Sequence, residues 1–131
     1  MRFIPTRTHG VLDYLVGALL MVSPWLFDFA AGGAETWLPV VLGAATIIYS
    51  VFTDYELGLV RKIPMPVHLA LDLLSGALLA VSPWLFAFSK SVWAPHLIIG
   101  LFEIGASLFT RTAPAVAHGT TRRGVTKLDL H

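Results

Sequence analysis

The chain has 131 residues, 56% of them apolar and only 13% charged, with a formal net charge of +1. A soluble domain carries roughly a quarter charged residues, so there is too little polar surface here to coat a globule in water. The near-neutral charge gives no sign of a nucleic-acid partner, which needs a concentrated basic face, and the lack of cysteine excludes disulfides, thiolate metal sites and cysteine nucleophiles.

Four apolar stretches follow in chain order, at about 9–29, 36–53, 66–88 and 92–110. About 20 helical residues cross a hydrocarbon core, and backbone amides in lipid must be paired within the segment. Each stretch is therefore expected to be a transmembrane helix. The first opens behind Arg2 and Arg7, carries His9 and Asp13, and ends on Ser23-Pro24-Trp25-Leu26-Phe27. A cleaved signal peptide is its rival reading, but Asp13 interrupts the apolar core and the same pattern returns in mid-chain, where no signal peptide stands. The second stretch contains Trp37, Pro39 and Gly43. The third follows the basic pair Arg61-Lys62 and carries His68, Asp72 and Ser82-Pro83-Trp84-Leu85-Phe86. The fourth contains His96, Gly100 and Glu103, and behind it comes a polar tail with Arg122, Arg123 and Lys127.

The third stretch repeats the first at an offset of 59 residues: His9 falls on His68, Asp13 on Asp72, Gly17 on Gly76, and Val22 to Phe27 on the identical Val81 to Phe86. The second and fourth match at offsets of 56 and 57, with Trp37 over Trp93 and Ser50 to Thr53 over Ser107 to Thr110. The chain is thus a duplicated hairpin: 1–56, a linker at 57–64, a second hairpin at 65–111 and a cytoplasmic tail at 112–131. A unit of two spans returns the chain to the side it started from, so the repeats are parallel, about an axis along the membrane normal. Eight of the nine basic residues lie at the N-terminus, in the linker, or at the end of the second hairpin (Arg111) and in the tail behind it, and only Lys90 lies in an opposite loop. By the positive-inside rule both termini are cytoplasmic. Tight helix contacts are expected at small residues, at Gly17-Ala18, Gly43-Ala44-Ala45, Ser75-Gly76-Ala77 and Gly100.

With Ser23-Pro24-Trp25 and Ser82-Pro83-Trp84 in equivalent places, the chain resembles the SPW-repeat family of small bacterial membrane proteins. The resemblance implies the hairpin architecture and a bacterial plasma-membrane location, and it brings no catalytic residue. The motif itself reads as structural. Proline removes an amide and kinks or opens a helix, serine satisfies the freed backbone or caps a new segment, and tryptophan anchors at the interface.

The ionisable residues within the spans carry the functional expectation. His9 and Asp13, like His68 and Asp72, are four apart and share a helix face. Asp13 and Asp72 lie twelve residues inward from the tryptophan of their helix, about 18 Å. Glu103 lies at a similar depth, and Thr46 or Ile47 stands at its counterpart. Intramembrane carboxylates mark function by default, so these five residues form a candidate proton relay or cation site. The competing reading makes them structural ion pairs, the aspartates bonding the histidines or Arg7, Arg61 or Lys62, in an accessory or scaffold subunit of a larger complex. A metal site on the same residues, or haem between His9 and His68, ranks behind both, and no metal or cofactor is assigned. His96 is read as a surface or capping residue of the outer interface. No phosphate loop, nucleophile elbow or HExxH occurs, so enzyme chemistry is not expected. The partners expected are lipid and either further copies of the chain or a larger membrane complex.

Overall fold

A computed structural model describes residues 2–113. The polar tail expected at 112–131, with Arg122, Arg123 and Lys127, lies almost wholly outside the described residues. Four helices follow one another: α1 (Thr6–Leu26), α2 (Ala34–Val51), α3 (Met65–Leu85) and α4 (Ala94–Phe109). By length and composition α1, α2 and α3 can cross a membrane, and α4 is a shorter apolar helix of 16 residues. Each helix packs chiefly on its partner within a hairpin, α1 on α2 and α3 on α4, and the hairpins meet mainly through α2 and α3.

The molecule is polar inside and apolar outside. His9, Asp13, Thr46, Ser50, His68, Asp72, His96 and Glu103 are buried, whereas Leu15 is 62% exposed, Leu74 67% and Ile98 63%. That arrangement suits a lipid solvent, in which a Leu-rich face costs nothing and each polar group needs a protein partner. Trp25, Trp37, Trp84 and Trp93 are all about half exposed at the loop end opposite the termini, as an interfacial belt requires.

Within each hairpin the close approach is made by one glycine pair. A Cβ on Gly43 would lie 2.5 Å from the Gly17 carbonyl oxygen, and a Cβ on Gly100 would lie 2.6 Å from that of Gly76. At the terminal end, two short backbone bridges, Ile4 with Thr110 and Thr53 with Ile63, are copies of one another in the repeat. They tie the segment before α1 to the end of α4, and the segment before α3 to the end of α2.

The Ser-Pro-Trp motif ends its helix. Expected to run to 29 and 88, α1 and α3 stop at Leu26 and Leu85. Pro24 has no amide to give the Leu20 carbonyl, and the Ser23 hydroxyl donates to that carbonyl instead at 2.9 Å. Ser82 does the same for Leu79 at 2.7 Å. The serines therefore sit in the last helical turn, and the N-cap alternative is corrected. Past the motif, Asp28 and Ala87 take φ of 57° and 60°. The Phe29 and Phe88 amides then return to the Pro24 and Pro83 carbonyls at 2.8 Å each, which closes a Schellman turn.

Candidate functional site

The repeat brings its two His-x3-Asp pairs together on the pseudo-two-fold axis, and they interlock. His9 Nε2 lies 2.6 Å from Asp72 Oδ2 and 3.0 Å from Asp13 Oδ1. His68 Nε2 lies 2.9 Å from Asp13 Oδ2 and 3.1 Å from Asp72 Oδ2. Each histidine thus contacts its own aspartate one turn along the helix and the aspartate of the other hairpin. Among the described residues every side-chain ion pair belongs to this cluster, and Arg7, Arg61 and Lys62 take no part. All four side chains are at most 6% exposed.

The outer nitrogens fix the tautomers. Thr110 Oγ1 donates its proton to the Ala106 carbonyl at 2.5 Å, so it accepts from His9 Nδ1–H at 2.7 Å. Thr53 Oγ1 donates to the Tyr49 carbonyl at 2.6 Å, so it accepts from His68 Nδ1–H, also at 2.7 Å. With both Nδ1 atoms protonated, both Nε2 atoms face inward on two carboxylates. Without further positive charge these would be lone pairs opposed at hydrogen-bond distance around a doubly negative dry centre, which no buried site sustains. The centre calls for two further protons or a cation of equal charge. Two protons lying between the Nε2 atoms and the carboxylate oxygens meet the need, and the cluster then carries no net charge.

Two tyrosines complete the carboxylate shells. Tyr49 on α2 donates a short hydrogen bond to Asp72 Oδ1. Tyr55, in the loop after α2, donates to Asp13 Oδ2 at 2.9 Å. Burial, reinforced by the Asp13 charge, pushes the Tyr55 phenol well above its usual range, which keeps it a donor.

Glu103 stands beside the cluster, on a cleft lined also by His9, Asp13, Thr46, Asp72 and Ala106. The cleft has space for about one water molecule. Glu103 Oε2 accepts a long bond from Ser75 at 3.4 Å, and Oε1 is buried with no partner among the described residues. All three carboxylate residues, Asp13, Asp72 and Glu103, line this cleft. The repeat places Ala106 where Tyr49 stands in the first hairpin, so the cleft lies where the symmetry of the tyrosines is broken.

The sequence reading did not single out Thr53, Thr110, Tyr49 or Tyr55. The threonines were visible as an equivalent pair in the repeat alignment, whereas the tyrosines have no such signal. His96 is a correction: it is only 2% exposed, held between the rings of Phe29 and Phe88 with centroids at 5.0 and 4.9 Å. Its Nε2–H donates to the Glu35 carbonyl at 2.9 Å. That carbonyl is the one left without an amide partner by Pro39, four residues on, so His96 repairs the first hairpin from the second. The haem alternative finds no slot: the His9 and His68 rings meet edge to face with centroids 5.5 Å apart, and both Nε2 atoms are engaged by carboxylates.

Compared with known proteins, the family model for the SPW repeat domain matches residues 7–110. No curated protein and no solved structure matches the chain.

Proposed function

The chain belongs to the SPW repeat family, and on that footing we propose that it is a cation-handling membrane protein whose working centre is the interlocked His9, Asp13, His68 and Asp72 cluster. The observation that carries this reading is the demand of that cluster for two positive charges, with both histidine tautomers held by Thr53 and Thr110. Glu103 is the carboxylate through which the centre exchanges its charge, since it lines the cleft with three of the four cluster residues and has one buried oxygen without a partner among the described residues. A cleft about one water wide supports a closed centre that exchanges protons or cations singly, and argues against an open pore. The excess of basic residues at the N-terminus, linker and tail supports cytoplasmic termini in a bacterial plasma membrane. The lipid-facing apolar surface leaves room for further copies or a larger complex.

Proton flux into vesicles tests the reading. Reconstituted protein driven by a potassium diffusion potential should acidify the lumen, and Glu103→Gln should lower the rate at least tenfold. A rate in E103Q equal to that of the unaltered protein removes the proposal.

The accessory-subunit reading has one observation in its favour: the cluster directly pairs its charges and fastens one hairpin to the other. It requires protein with no flux that co-purifies with a defined membrane partner.

A further inference from the structure

We infer that the four-residue cluster is a binding site for one divalent first-row transition metal, ligated by His9 Nε2, His68 Nε2 and one carboxylate oxygen each from Asp13 and Asp72. The inference deepens the cation-handling reading and rests on it for the role of the metal, though the site itself stands on the geometry. One ligand atom from each residue can be chosen so that all four lie within 4.8 Å of one another, and all four residues are buried. They come from two helices, α1 and α3, in two hairpins, so no short sequence motif announces them.

Charge and donor type select the class of metal. Two carboxylates around two neutral imidazoles need two positive charges, and a single divalent ion supplies them in place of two protons with the cluster still neutral. Imidazole and carboxylate donors suit Zn2+, Mn2+ and Fe2+, and the absence of sulfur ligands argues against Cu+. Ca2+ takes six to eight oxygens and Mg2+ keeps several waters, which a cleft about one water wide does not admit. Zinc is satisfied by four N and O donors in a tetrahedron.

The surroundings are those a metal site requires. A ligating imidazole ordinarily donates its other N–H to an oxygen that sets its tautomer and orientation. Thr110 does this for His9 and Thr53 for His68, each at 2.7 Å. The ligating carboxylates are hydrogen-bonded in turn, by Tyr49 and Tyr55. Glu103, which lines the same cleft, adds a buried oxygen, Oε1, without a partner among the described residues, as a fifth donor or an acceptor for a metal-bound water. The present N–O separations of 2.6 to 3.1 Å fit shared protons. Bonds of about 2.0–2.1 Å in a tetrahedron set ligand atoms about 3.3 Å apart, so metal entry opens the shortest N–O pair by about 0.7 Å and draws in any ligand atoms standing nearer the 4.8 Å limit of the set.

The test is equilibrium dialysis of untagged, detergent-purified protein against buffered Zn2+ and Co2+. One metal per chain is expected, and the Co2+ form should show the intense visible absorption of a four-coordinate ion. Thr110→Val keeps all four ligands and should weaken binding 10–100-fold, while His68→Ala should abolish it. Stoichiometry far below one for both metals overturns the inference, as does affinity unchanged in both variants. Glu103-dependent proton flux in a protein that binds no metal leaves the cation-handling reading standing and removes the metal. Stoichiometric metal without flux keeps the site and removes the transport role.

Discussion

Replacing Thr53 with valine isolates the contact that fixes one histidine tautomer. Valine nearly matches threonine in shape, so no cavity forms, and the change removes the acceptor of His68 Nδ1–H at 2.7 Å and the donor to the Tyr49 carbonyl. His68 is fully buried at 0% exposure, so the orphaned N–H finds no water. A hydrogen bond from a charged group contributes about 1.5–3 kcal/mol, so Thr53→Val should cost about 2–3 kcal/mol in a reversible unfolding titration in mixed micelles, followed by tryptophan fluorescence. Thr110→Val, its repeat equivalent, should cost a similar amount. In a His68→Phe background the Thr53 change should fall below about 1 kcal/mol, because the two residues then no longer interact. The exposed Thr8→Val serves as control. A Thr53→Val cost no larger than that control, or one unchanged by His68→Phe, would refute the tautomer assignment and the charge count built on it.

Three further outcomes follow from the packing. His96→Phe should destabilise by about 1–3 kcal/mol, the cost of an unpaired buried group, and adding Pro39→Ala, which restores an amide for the Glu35 carbonyl, should recover part of the loss in the same titration. Ala87→Gly relieves a left-handed residue at φ 60° and should raise stability by up to about 1 kcal/mol, whereas an alanine at the well-placed helical Leu74 should gain nothing comparable. Gly43→Ala sets a methyl 2.5 Å from the Gly17 carbonyl and should cost about 1–3 kcal/mol, read as loss of folded protein at a fixed denaturant fraction.

Much of the fold is legible in the sequence because its determinants are local or repeated. Apolar stretches of spanning length mark four helices, and the 59-residue echo of His9, Asp13 and the Ser-Pro-Trp run marks the duplication. The same echo places two His-x3-Asp pairs at equal depth. What it does not carry is the partner of each side chain. Within one helix His9 sits beside Asp13, yet its shortest contact is with Asp72, because the pseudo-two-fold axis passes between the pairs. Tyr55 comes from an irregular loop and has no equivalent in the second hairpin, so no periodicity points to it. His96 looks like an interfacial residue by its distance along α4. Its partner is the Glu35 carbonyl that Pro39 leaves without an amide, a demand that is visible only once the first turns of α2 and α4 are brought together.

The most direct test of the central claim is the 15N spectrum of the imidazoles in histidine-labelled protein, assigned through His9→Gln and His68→Gln. The account predicts that His9 and His68 each carry a proton on Nδ1, and on Nε2 either a second proton or a bound metal. A bare, unprotonated and unmetallated Nε2 in both rings would contradict it, because the cluster would then hold no cation at nitrogen.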